Sequence, residues 1–196
     1  MTIVVLGKGN MGAPIAALAR KARHEVLSFG REGAPVKALE QAGIVVIATK
    51  YPKAIEIVSD PAVARVLARK IVIDVTNPLA DDFMSLTLGH ATSAAEEIAA
   101  RLPGAHVVKA FSTVFAAVLA LRAEGREVSV PVLVAGDDTE AVGAVIALAQ
   151  AFGLEAIPAG ALQNARYLEP MTEQLIQFGY GLGMGDRIGL ALVRAG

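Results

Sequence analysis

Residues 7–12 read GKGNMG, three glycines in a G-x-G-x-x-G pattern between an apolar run and an alanine-rich one. The spacing suits a dinucleotide cradle. Gly7 permits a tight turn, Gly9 lets the backbone approach a pyrophosphate, and Gly12 allows close helix–strand packing. The exposed N–H groups at the helix start, with Asn10 and Met11 beside them, favour the diphosphate anion. Such glycine turns are common, and position gives this one its weight: it follows Ile3–Leu6 directly and precedes a helical pattern from Met11. It is no P-loop, because Gly7 and Gly12 are too close and no Gly-Lys-Ser/Thr follows.

The second stretch with chemical consequences is HEVLSFGREGA. About 20 residues after the glycine turn, NAD-specific sites usually carry an acid that accepts from the ribose 2′-OH. Ser28, Gly30 and Arg31 stand there instead. A carboxylate repels a 2′-phosphate, whereas a guanidinium binds it bidentately and a hydroxyl donates to it. NADP(H) is therefore expected over NAD, with Glu32, the next position, pointing away. The plainer role for Arg31 is a solvated loop charge.

Other candidates end the later apolar runs: Thr49, Lys50 and Tyr51 in ATKYP, Thr76, Asn77 and Pro78 in DVTNP, Ser112 and Thr113 in VVKAFST, Gly136 and Asp137 in VAGDD. In open α/β sheets ligands lie outside the carboxyl ends of the strands. Ser112 and Thr113 could bond an acceptor ring or cap a helix beginning near Val114. Lys109, inside a strand, needs a buried partner, and Asp74 is the expected one. His24 and His106 begin strands and belong to the opposite edge. His90 could reach a pocket or lie on a surface loop. Asp81 and Asp82 read as solvated charges, and no metal site is expected.

These residues need a sheet to hold them. Apolar runs rich in β-branched residues recur at Ile3–Leu6, Glu25–Phe29, Ile44–Thr49, Ile71–Val75, His106–Ala110, Val130–Ala135 and Leu154–Pro158, most of them separated by helical patterns. The alternation predicts a Rossmann-type, doubly wound α/β fold with a mostly parallel sheet. Residues 1–158 form the expected dinucleotide-binding domain. Residues 159–196 form a small C-terminal helical appendage with a terminal strand over Ile188–Val193, packed on the same domain. The irregular stretch Pro78–Thr92 is long enough to be functional.

The composition, 54% hydrophobic with a net charge of −1 and no cysteine, suits a helix-covered sheet. It excludes thiolate metal sites and cysteine nucleophiles, and without a basic block it makes nucleic acid and membranes poor partners. No signal peptide is visible and the chain is expected to be cytoplasmic. The glycine-punctuated, apolar C-terminus suggests a homodimer.

Taken in order, IVVLGKGNMG, the Gly-Arg pair after the second strand, IDVTNPL, TSAAEEIAARLPGAHVVKAFST, VLVAGDD and GALQNARYLEPM resemble the F420-dependent NADP oxidoreductase family. The cytosolic reductase domain of the six-transmembrane epithelial metalloreductases is a relative of that family. The resemblance implies that NADP(H) exchanges hydride with a flavin or 5-deazaflavin ring (F420, FMN or FAD). It implies that Gly7, Gly9, Asn10, Met11 and Gly12 hold the diphosphate and that Ser28, Gly30 and Arg31 take the 2′-phosphate. It places Thr49 and Tyr51 on the cofactor and Asn77 and Pro78 beside the nicotinamide. Ser112 stands where the family commonly has Asn, and Lys50 where an apolar residue is usual; the candidates for the substrate pocket are Asn77, Ser112, Thr113 and Lys50, with no residue assigned to catalysis.

Hydride transfer between rings needs proximity and orientation more than acid–base groups, in keeping with the lack of an obvious catalytic His or carboxylate pair. Two alternatives stay open: a reductase of a small carbonyl or imine, and a non-catalytic NADP-binding sensor.

Overall fold

The computed structural model describes residues 1–193 and 195. Seven strands form one sheet: β1 (Thr2–Leu6), β2 (Glu25–Phe29), β3 (Ile44–Ile47), β4 (Ile71–Asp74), β5 (His106–Lys109), β6 (Val132–Gly136) and β7 (Ala156–Pro158). Their order is β2-β1-β3-β4-β5-β6-β7. The first five are parallel, β6 is antiparallel to β5, and β7 is parallel to β6. Chain direction across the sheet reverses between β1 and β3, which creates the crevice where such folds bind ligands.

The strands are unbroken apolar runs because both faces are covered. One face carries α1 (Gly12–Lys21), α6 (Ala116–Ala123) and α7 (Thr139–Ala151). The other carries α2 (Val36–Gln41), α3 (Tyr51–Val58), α4 (Pro61–Leu67), α5 (Ala94–Arg101) and the start of α8 (Ala165–Ile176). Several starts are fixed by side chains. Asp60 accepts from the Ala62 N–H at 2.8 Å and Asp138 from the Ala141 N–H at 2.8 Å. Ser93 and Glu96 form a capping box, the Glu96 N–H donating to Ser93 Oγ. By contrast, neither α1 nor α3 has a side-chain cap; the Ala13 N–H is taken by the Gly9 carbonyl and Pro14 and Pro52 carry none, so only the remaining N–H groups at this edge are left for another partner.

Two expectations are corrected. The strand expected over Ile188–Val193 does not form: after a π-helical turn at Gln177–Gly181 those residues have no regular structure. Gly136 and Asp137 also lie at the wrong edge, because β6 runs backwards. Helix α6 descends until the Ala123 carbonyl meets Lys21 at the far end of α1, and residues 124–131 climb back before β6 starts. His106 at the start of β5 therefore pairs with Asp138 at 3.0 Å. Among the described residues no helix is long and apolar enough to cross a membrane.

Candidate functional site

The glycine turn passes from β1 into α1 at the reversal. Gly7 has φ +121°, and a Cβ there would overlap the Ala48 carbonyl beyond β3. A Cβ on Gly12 would overlap the Gly7 carbonyl, so strand and helix touch through hydrogen alone. Gly9 faces open space, with nothing within 4 Å of where its side chain would be. This division of labour, two glycines for packing and one for access, is the one a pyrophosphate cradle requires.

Along the same edge lies a row of polar groups without partners. Among the described residues eight buried side-chain polar atoms have no hydrogen bond. Six of them, Ser28 Oγ, Thr49 Oγ1, Thr76 Oγ1, Asn77 Oδ1, Ser112 Oγ and Thr113 Oγ1, stand at or just past the carboxyl ends of β2, β3, β4 and β5. Buried polar atoms are normally paired because an unpaired one costs free energy. Their gathering at one edge points to a partner that the chain itself does not supply. Ser112 and Thr113 cap nothing: α6 begins at Ala116, beyond the N-cap residue Phe115, without a side-chain cap.

Beside this row lies a cavity of about 780 Å³. Asn77 and Ser112 line it, and so do Asn10 and Met11 from the glycine turn. Asn77 Nδ2 donates to the Ser112 carbonyl at 3.2 Å, which ties the two loops together and leaves Oδ1 free. Thr113, Thr49, Tyr51 and Pro78 do not line the cavity. Tyr51 opens α3, and its hydroxyl pKa is raised, mainly by burial. Lys50 also stays outside, its ammonium 4.9 Å above the Phe83 ring at the cavity rim. His90 is exposed and absent from the cavity wall.

The sequence reading missed the opposite wall: Phe83 and Met84 from the 78–92 loop, Phe115 before α6, and Thr172, Tyr180 and Asp186 from the C-terminal segment. Phe115 and Tyr180 meet edge to face at 5.7 Å, and Gln177 Nε2 donates to the Met84 carbonyl at 2.9 Å. The signals were the length of the loop and the aromatic, glycine-rich exit FGYGLGMGD. Neither shows which residues face inward.

A buried triad holds α8 against the sheet. Lys109 Nζ lies 2.9 Å from Asp74 and 2.6 Å from Glu169, and it also donates to the Thr76 carbonyl. Burial pushes the Lys109 amine down, but the two carboxylates outweigh it and hold its pKa above the usual value. With one ammonium serving two anions, burial raises Glu169. Glu169 also accepts from the Ala94 and Ala95 N–H groups opening α5, at 3.0 and 3.3 Å. The expected Lys109–Asp74 pair is present, and Glu169 of the LEPM segment is its unforeseen third member.

The tip of β2 brings a correction. Glu32 does not point away. Its Oε1 accepts from the Gly30 N–H at 2.9 Å and from Lys8 Nζ at 2.7 Å. The Gly30 hydrogen bond, then Lys8, hold its pKa at about 2. Arg31 beside it is exposed.

Fold and site together define a Rossmann-type dinucleotide-binding domain with an apolar cavity attached. Residues 2–86 match the NAD binding domain of 6-phosphogluconate dehydrogenase. Over the whole length the chain is homologous to a candidate F420-dependent NADP-reductase from Arthrobacter sp. FB24. The two are 26% identical, with a TM-score of 0.86, 98% of this chain and 99% of that one being covered. It is also 37% identical over 110 residues to the metalloreductase STEAP3 of Rattus norvegicus, covering 56% of this chain. This chain spans about a fifth of that relative's length, 21%. An imine reductase from Myxococcus stipitatus shares the fold at 16% identity and a TM-score of 0.66, over 92% of this chain and 61% of that one. The resemblance read from the sequence and the expected fold class agree with these findings.

Proposed function

We propose that this protein is an NADP(H)-dependent oxidoreductase that passes hydride between NADP(H) and a flavin- or deazaflavin-type ring such as F420, FMN or FAD. The observation that carries the reading is the row of unpartnered polar atoms ending β2 to β5 beside the glycine cradle. Full-length homology to the candidate reductase supports it.

The donor set fits a dinucleotide. Gly7, Gly9, Asn10, Met11 and Gly12 would hold the diphosphate at the uncapped start of α1. Ser28, Gly30 and Arg31 would take the adenosine 2′-phosphate. Thr49, Tyr51, Asn77 and Pro78 would line the path to the nicotinamide, Asn77 Oδ1 being free to accept from its carboxamide. The dinucleotide supplies the hydride, and the chain supplies orientation. Ser112 Oγ and Thr113 Oγ1 are unspent donors beside the cavity, while Phe115, Tyr180 and Met84 present flat or polarizable surfaces on which a planar ring can stack. Apolar walls exclude water, which protects a reduced ring from side reactions. Lys50 stands outside the cavity, where it could meet an anionic tail of the acceptor.

A carbonyl or imine substrate would need a proton donor. Tyr180, its hydroxyl 3.4 Å from Asp186, is the candidate in this cavity, but burial raises its pKa and makes it a poorer acid. A mere NADP sensor would need no such cavity. The chain is further proposed to act in the cytoplasm as a homodimer, with residues 159–196 belonging to the same domain as 1–158. The exposed Tyr167, Leu182 and Met184 support the dimer.

The test is NADPH oxidation with F420, FMN, FAD and a panel of aldehydes and cyclic imines. Turnover with one or more ring acceptors is expected. Turnover with aldehydes or imines alone overturns the proposal, and tight NADPH binding without turnover leaves the sensor.

A further inference from the structure

At the tip of β2, cationic and N–H donors converge on a group of the protein's own. Lys8 is the first variable residue of the glycine turn, and its side chain crosses to the second strand: a Cβ on Gly30 would lie 3.5 Å from Lys8 Cδ. Its ammonium and the Gly30 N–H both donate to Glu32 Oε1. Arg31, which is exposed, and Ser28, whose hydroxyl has no partner, belong to the same strand end. Two donors at this strand end, the Lys8 ammonium and the Gly30 N–H, are thus already gathered on an anion, and that anion is a carboxylate two residues past Gly30.

We propose that Glu32 is a built-in stand-in for the adenosine 2′-phosphate and that Lys8, which it clasps, is a 2′-phosphate ligand and cofactor-specificity residue. The inference rests on the NADP(H) reading above and adds to it a residue outside the Ser28–Arg31 strand end. A dianionic phosphate has more charge and more acceptor oxygens than the carboxylate. It therefore displaces Glu32 from Lys8 and the Gly30 N–H. NADH brings only a neutral hydroxyl there, so the Lys8–Glu32 pair stays closed, with Oε2 as the acceptor for that hydroxyl. Displacement is easy because both side chains are 55% exposed and an exposed pair is weak. Glu32 therefore lowers NADPH affinity slightly while keeping the two cations from repelling each other when the site is empty.

The test is equilibrium binding of NADPH and NADH, followed by nucleotide fluorescence, to the wild-type chain and to Lys8→Met, Glu32→Gln and Arg31→Ala. Lys8→Met should weaken NADPH by about tenfold and NADH by less than about twofold, the size of one charge-assisted contact at an exposed site. Glu32→Gln should tighten NADPH by roughly two- to fivefold and fail to tighten NADH. Equal losses for both nucleotides in Lys8→Met, no loss for NADPH, or weaker NADPH binding in Glu32→Gln would each overturn the proposal. If that happens while Arg31→Ala still discriminates against NADPH, only the role of Lys8 and Glu32 falls. If the wild-type chain binds neither nucleotide, the NADP(H) reading falls with it.

Discussion

Replacing Lys109 by Met keeps the length of the side chain and removes the charge that closes the Asp74–Lys109–Glu169 triad. All three groups are essentially sealed from water, with side-chain exposures of 0%, 0% and 2%. At an effective dielectric near 20, each ion contact near 4 Å is worth about 4 kcal/mol of gross attraction, most of it offset by desolvation. The larger consequence is that two carboxylates are left facing each other in a dry pocket. Breaking buried pairs of this kind costs about 3–5 kcal/mol, which for a domain of this size lowers Tm by roughly 6–20 °C. The sign with pH follows. Burial already holds the folded-state pKa of Glu169 above its usual value, and losing the Lys109 charge raises it further. The folded state then holds a proton that the unfolded state has lost, so stability is greatest at acid pH and falls as pH rises through the raised value. The deficit relative to wild type should accordingly shrink as pH falls toward the ordinary carboxylate range and grow as pH rises above it. Adding Glu169→Gln to Lys109→Met removes one of the orphaned anions and should restore part of the loss. Urea unfolding at several pH values measures all of this. A cost under about 1 kcal/mol, or a deficit that does not change with pH, would refute the picture of a closed, charged triad.

Other outcomes follow from single contacts. Gly7→Ala forces a side chain into a φ of +121° and against the Ala48 carbonyl. It should cost about 2–4 kcal/mol in thermal or urea unfolding, and an unchanged Tm would contradict the packing described. Ser112→Ala removes an unpartnered buried hydroxyl, so stability should hold or rise by up to about 1 kcal/mol while kcat/KM falls by about tenfold. Lost stability with full turnover would make that hydroxyl structural. Arg31→Ala should weaken NADPH binding by one to two orders of magnitude and NADH binding far less, whereas equal losses would refute the 2′-phosphate assignment.

The first five strands and the glycine turn were legible because their constraints are local. A strand buried on both faces must be an apolar run, and Gly7 and Gly12 admit no other residue. Parallel packing then delivered Ser28, Thr49, Asn77 and Ser112 to one edge without further information. Gly136 and Asp137 were misplaced because strand direction is not written in a strand. It depended on the polar stretch EGREVSVP returning to the carboxyl edge instead of starting a new strand below. Glu32 was misjudged because a side chain one residue past a turn can fold back when a Lys from another loop meets it. Glu169 and Tyr180 could not be assigned because their positions depend on how α8 docks, and that docking rests on Lys109, some 60 residues away in sequence.

In the proposed reaction hydride moves between NADP(H) and a ring held in the cavity behind Asn77 and Ser112. A single anaerobic turnover with NADPH deuterated at nicotinamide C4, one face at a time, tests this most directly: with F420 the label bound to the ring carbon is read by mass spectrometry, and with FMN, whose N5–H exchanges with water, the readout is which face's deuterium the nicotinamide loses. Deuterium passing directly to the ring from one face only is the predicted result. A ring reduced with solvent hydrogen in place of the label at a carbon acceptor, or label from both faces alike, would contradict it.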